Sequence, residues 1–163
     1  MIDPMDTLRA FQSAYSQGMI SLQPGSIYPD VMVHMDEPAE GVKRFTYVIF
    51  EGDLVVALAA FAPTDPLNGR LAFQIAYAVH PNHRNKGLGR KISEAAIAEI
   101  DNGFRMNNLP MFYIEASVDD ENEASHRLAQ SLFGESVQSG IDKPSGRPLK
   151  LYRKLVGKRP FEA

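Results

Sequence analysis

Apolar side chains recur at Met5, Leu8, Phe11, Ala14 and Tyr15, the spacing of one helical face, with Pro4 suited to the first turn and Gly18 to the end. Two prolines and a Pro-Gly pair make SLQPGSIYPD, residues 21–30, a predicted loop. VMVHM predicts a short strand and the following DEPAEG a turn. Three apolar runs come next, RFTYVIF, LVVALAAFA and RLAFQIAYAV, separated by EGD and PTDPLNG. Turn clusters between β-favouring runs predict three consecutive antiparallel strands. The period turns helical over residues 88–104, where Leu88, Ile92, Ala95, Ala96, Glu99 and Ile100 form the stripe and Gly103 stands near the end. Pro110 opens a further strand, MFYIEASV, and residues 122–133 predict a helix with Ala124, Leu128 and Leu132 on one face. A strand within residues 135–141, a KPSGRP turn and a last strand, LKLYRKLV, follow. The expected fold class is α/β, a mixed and mostly antiparallel sheet flanked by helices. No repeat, linker or low-complexity segment divides residues 1–163, so a single domain is expected.

Composition narrows the function classes. Of the 163 residues 44% are hydrophobic and 23% charged, which is globular rather than disordered. A net charge of −3 argues against a general nucleic-acid binder, which needs a basic face for phosphates. The absence of cysteine excludes disulfides, thiolate chemistry and Cys-based zinc sites. The acidic start MIDPMDTLRAF lacks signal-peptide features, and the longest apolar run, residues 54–62, is too short for a bilayer. A cytoplasmic protein with neither nucleic-acid nor membrane partners is the expectation.

One segment stands apart. VHPNHRNKGLGRKI, residues 79–92, runs basic side chains into two glycines and then into the helix. The first N–H groups of a helix lack internal partners and sit at the positive end of its dipole. Glycines at 87 and 89 remove Cβ atoms that would obstruct a phosphate, and Arg84, Lys86 and Arg90 add charge. A diphosphate fits this chemistry. A Walker loop is absent, and the dinucleotide fingerprint fails for want of its last glycine.

The pattern V-x-P-x-x-R-x-x-G-x-G, carried by Val79, Pro81, Arg84, Gly87 and Gly89, resembles the acyl-CoA motif of the GNAT superfamily of N-acetyltransferases. ENEASHRLAQSLFGE resembles that family's looser N-x-x-A-x-x-L-Y pattern, with Asn122, Ser125 and Leu128 in register. The resemblance covers a core of residues 44–156 and leaves residues 1–43 as a variable N-terminal part. It implies that the strands ending at Val79 and Val118, the family's fourth and fifth, splay apart around the pantetheine arm of acetyl-CoA, the co-substrate. The backbone of Ala78 and Val79 would bond that arm. The N–H groups of Asn85, Lys86, Gly87, Leu88, Gly89 and Arg90 would cradle the pyrophosphate, and Asn122 would bond a pantetheine amide. Chemistry would be direct attack of an amine on the thioester, with the backbone near Val79 polarising the carbonyl.

The chain departs from that pattern where the family's tyrosine is expected, since Ala129 stands there, and Phe133-Gly134 reverses its Gly-Phe pair. Ser125, one turn before Ala129 on the same face, and Tyr152 in the last strand are the candidate acids. The strand positions that often carry a carboxylate hold Phe73 and Ile75, leaving Glu115 as candidate base. His80 and His83 read as solvated rather than a metal pair. Residues 119–123, DDENE, read as a solvated helix start, and KLVGKR near the end as a solvated tail. The leading expectation is an N-acetyltransferase acting on a small-molecule or protein amine, with a homodimer allowed. The alternatives are a non-catalytic acetyl-CoA sensor or partner module, suggested by the lost tyrosine, and a nucleotide-binding α/β protein, disfavoured by the missing signatures.

Overall fold

Strands buried on both faces need apolar residues at nearly every position, and LVVALAAFA supplies them. The computed structural model describes residues 3–157. The order is α1 (Pro4–Ser16), β1 (Gln23–Pro24), β2 (Val31–Ala39), β3 (Val42–Glu51), β4 (Leu54–Leu67), β5 (Arg70–Val79), α2 (Leu88–Met106), β6 (Phe112–Asp119), α3 (Glu123–Phe133), β7 (Gln138–Ile141) and β8 (Pro148–Val156). A short 3₁₀ turn, Pro81–His83, precedes α2. The eight strands form one sheet in the order β1-β2-β3-β4-β5-β6-β8-β7. Every pairing is antiparallel except β5 with β6, the two strands joined through α2. The α/β class expected from the sequence is the one observed.

Alternation along β4 divides the core. Leu58 and Ala60 join Val48, Val55 and Ala78 beneath Leu8 and Phe11 of α1. Ala57, Ala59 and Phe61 face the other way, packing with Ile92, Ala96 and Ile100 of α2 and Ala129 of α3. Helix α1 therefore covers one face of the sheet and α2 with α3 the other. Asp3 starts α1 by accepting the Met5 N–H, and Pro4 fits the first turn, where no N–H is needed.

Several boundaries differ from the expectation. Residues 36–39 of DEPAEG continue β2, held by the Arg44 guanidinium on both oxygens of Asp36 and bulged between Asp36 and Ala39. The PTDPLNG segment is mostly strand: β4 runs to Leu67 and turns through Asn68 and Gly69, both at positive φ. Prolines are tolerated there because β3 pairs with β4 only as far as Phe61, so Pro63 and Pro66 need give no N–H to that side. The two-residue β1 was hidden in a predicted loop, and β7 begins at Gln138 rather than 135. On α3 the buried residues are Leu128 and Ala129, while Ala124 is exposed. Of the tail KLVGKR, Lys158 and Arg159 lie outside the described residues.

Candidate active site

Strands β5 and β6 pair only at Ala72–Tyr113, Phe73–Ile114 and Gln74–Glu115. Past that rung β5 is held by β4, up to the Val79–Ala57 pair, and β6 by β8, down to Asp119–Leu149. Each strand is thus fastened on its outer side, and a wedge opens between them toward their carboxyl ends. His80 donates its N–H to the Val56 carbonyl at 2.9 Å, which makes Val79–Ala57 a non-hydrogen-bonded pair. The backbone groups of Val79, and by alternation those of Tyr77, consequently face the wedge. Those of Ala78 face β4. Ala78 and Val79 are the residues expected to bond the pantetheine arm; the register turns the backbone of Val79 and Tyr77 toward the wedge and that of Ala78 away from it.

The mouth of the wedge is the start of α2. Gly87, at φ +77°, is its N-cap, and no side chain caps it, whereas Asp3 caps α1 and Asn122 caps α3. The first bond back into the helix is Lys91 N–H to the Gly87 carbonyl, 3.0 Å. The N–H groups of Leu88, Gly89 and Arg90 precede it and point outward. Asn85, at φ +62°, and Gly87 bend the chain around Lys86, a backbone shape that turns N–H groups toward a common point. Arg84 donates from Nε to the Val79 carbonyl at 3.2 Å, joining this loop to the end of β5. Lys86 and Arg90 are exposed, with Arg90 3.3 Å from Glu94. These groups fit an anionic diphosphate.

The two glycines of the motif differ. A Cβ on Gly87 would meet nothing within 4 Å, whereas one on Gly89 would lie 3.0 Å from the Tyr77 ring. Gly87 is required by its left-handed backbone, Gly89 by the close approach of an aromatic side chain.

Asn122 caps α3, its Oδ1 accepting the Ser125 N–H at 3.1 Å. Ser125 Oγ shares a 2.9 Å hydrogen bond with the Tyr77 hydroxyl across the wedge. Glu115 sits on the last paired rung, on the sheet face away from α2, with Arg153 Nε donating to its Oε1 at 3.1 Å. Beside it Gln74 donates to Ser117 Oγ at 2.9 Å, a side-chain link between β5 and β6. Tyr152 is elsewhere. It pairs with Ala116 on the far side of β6, is 1% exposed in the core under α3, and its hydroxyl lies 2.8 Å from His126 Nδ1. Burial pushes its phenol above the usual range, the opposite of what an acid at the reaction centre needs. The expectation that Tyr152 serves as acid is therefore corrected. His83 Nε2 lies 3.1 Å from Glu51, tying the loop to the β3–β4 hairpin, and Asp119 binds Arg147. Tyr77 was missed by sequence reasoning. The signal was a hydroxyl in an otherwise apolar stretch of strand, which needs a partner when buried.

Comparison with known proteins bears on this geometry. Residues 9–134 match the model of the acetyltransferase (GNAT) family. The fold is shared with a protein from Salmonella typhimurium solved with its cofactor acetyl-CoA, at 23% identity over 76% of this chain and 69% of that one, TM-score 0.55. It is shared also with a ribosomal-protein-alanine N-acetyltransferase from Brucella melitensis, at 24% identity over 72% and 70% of the two chains, TM-score 0.53. A spermidine/spermine N-acetyltransferase from Vibrio cholerae aligns at 16% identity over 72% and 67%, TM-score 0.54. No curated protein matches the chain. A coenzyme-binding α/β transferase is the class these features define. The chain belongs to the GNAT acetyltransferase family, whose acetyl donor is acetyl-CoA.

Asn122 allows a prediction that separates capping from binding. Asn122→Ala is expected to cost about 1 kcal/mol of stability through the lost cap. Asn122→Asp keeps the cap oxygen and removes the Nδ2 donor. It is therefore expected to leave urea melts unchanged while weakening acetyl-CoA in calorimetry by about 1–2 kcal/mol. ADP, which has no pantetheine, should bind Asn122→Asp as it binds the unaltered chain.

Proposed function

We propose that this acetyltransferase moves the acetyl group of acetyl-CoA directly to a primary amine of a small molecule or a protein. The observation that carries the reading is the wedge between β5 and β6 opening beside the uncapped start of α2. Bound acetyl-CoA supplies an activated acyl group. The chain's own residues do the rest. The N–H groups of Asn85 to Arg90, with Arg84 and Lys86, hold the diphosphate, and the backbone of Tyr77 and Val79 bonds the pantetheine arm together with Asn122. The Val79 N–H polarises the thioester carbonyl. Glu115, at the apex of the wedge, receives the amine proton directly or through water, with Arg153 fixing its orientation.

Amine acceptors fit the names of two fold neighbours, a spermidine/spermine and a ribosomal-protein-alanine N-acetyltransferase. Residues 1–163 are read as one domain, supported by a single sheet that runs unbroken from β1 to β7. A cytoplasmic location belongs to the same reading. Among the described residues no helix is long and apolar enough to cross a membrane.

The test has two stages. Acetyl-CoA and CoA are expected to raise the melting temperature where NAD and ATP do not. CoA release should then depend on an acceptor drawn from a panel of polyamines, small primary amines and peptide N-termini. Stabilisation by acetyl-CoA with no acceptor turned over would make the chain a sensor.

A further inference from the structure

Tyr77 lies three residues beyond Gln74, the last residue of β5 paired to β6, and so stands in the splayed segment. Its ring rests against Gly89 at the start of α2, and its hydroxyl is 2.9 Å from Ser125 Oγ in the first turns of α3. The side chain thus spans the wedge from the strand wall, clamped by one helix and hydrogen-bonded to the other. One turn on from Ser125 is Ala129, 4% exposed and without a polar atom. Side chains at this spacing share a helical face, with Cβ atoms about 5–6 Å apart. The phenol therefore enters the space beside positions 125 and 129 from the opposite side.

We propose that Tyr77 is the general acid of the transfer and that Ser125 is its positioning residue, an inference that rests on the acetyl-transfer reading above. The amine nitrogen bonds to the thioester carbonyl carbon, and the C–S bond breaks with its electron pair left on sulfur. The Tyr77 O–H gives its proton to that sulfur. The proton shed by nitrogen is taken up by Glu115 and passes on through water to the phenolate oxygen, so the products are an amide and a free thiol, and Glu115 and Tyr77 both end as they began. Ser125 donates its O–H to the Tyr77 oxygen, which leaves the phenol proton free for sulfur and steadies the phenolate. The serine stays in place because its own N–H is held by Asn122.

Tyr77→Phe keeps the ring against Gly89 and removes only the hydroxyl. Melting temperature, acetyl-CoA affinity by calorimetry and acceptor KM are expected to stay near those of the unaltered protein, while kcat falls roughly 10²–10⁴-fold. A readout independent of turnover is the thiol of CoA in the binary complex, titrated by thiolate absorbance. It should ionise at higher pH in Tyr77→Phe, because a hydrogen bond to the charged form is lost. Ser125→Ala, which leaves the phenol in place, should lower kcat by about five- to tenfold, the scale of one hydrogen bond. Unchanged kcat or an unchanged thiol titration in Tyr77→Phe overturns the proposal while leaving acetyl transfer standing. An unaltered chain that binds acetyl-CoA yet acetylates no amine overturns both.

Discussion

Gly25→Ala is expected to destabilise the fold by about 1–3 kcal/mol, the cost of forcing an extra group into a packed site. The new Cβ would fall on Glu99 Oε2 and 2.5 Å from the Tyr28 carbonyl oxygen, and the second of these is backbone that cannot swing aside. Glu99 is 7% exposed on α2, and its other oxygen accepts the Ile27 N–H at 2.7 Å. One carboxylate thus fastens the loop of residues 25–30 onto the helix. Glu99→Ala is expected to cost a similar 1–3 kcal/mol, roughly that of leaving a part-buried donor without its charged acceptor. Combined, the two should cost less than their sum, because Glu99→Ala removes the oxygen that the methyl of Gly25→Ala would strike. Urea melts of the three variants provide the measurement. Additive losses, or a Gly25→Ala protein as stable as its parent, would refute the fastening role. The loop also carries Asp30, paired with Lys91 at 3.0 Å, so loosening it should disturb the flank of the anion seat.

What was legible in the sequence was what local spacing decides. The period-3.6 stripes of α1 and α2 and the apolar runs of β3, β4 and β5 appear at the expected positions. Glu99 stood on the apolar stripe of α2 in the sequence, but its partner, a backbone N–H distant in the chain, is fixed by the fold. Pro63 and Pro66 argued for a loop because a proline rule assumes a partner on both sides, and only the observed register removes one. The proposed anion seat was readable because residues 84–90, which would build it, are consecutive positions. The chemistry opposite it was not, since Tyr77 meets Ser125 across three elements and Tyr152 lies under α3 rather than in the wedge. Ala78 and Val79 are neighbours in sequence, yet the direction their backbone groups face follows from the pairing with β4.

Gly87→Val and Gly89→Val are expected to fail in different ways, and the contrast tests where the diphosphate sits. At Gly87 the backbone is left-handed, φ +77°, so a β-branched residue there carries a strain of about 1–2 kcal/mol. A Cβ there meets no protein atom within 4 Å, so the obstacle it is expected to raise is to a ligand at the N–H groups that begin α2. Acetyl-CoA affinity should fall more than tenfold, and ADP affinity with it, since both ligands carry the diphosphate. At Gly89 the backbone is ordinary helix, and the obstacle is the Tyr77 ring 3.0 Å from the new Cβ. Overpacking of about 1–3 kcal/mol should appear in melts, and the displaced ring should lose its bond to Ser125. Turnover should then suffer more than ADP binding does. Calorimetry with both ligands, melts and kcat on each variant separate the two effects. If Gly87→Val binds ADP as tightly as its parent, the diphosphate does not sit at this helix start. If Gly89→Val melts like its parent, the ring does not hold its position against the helix.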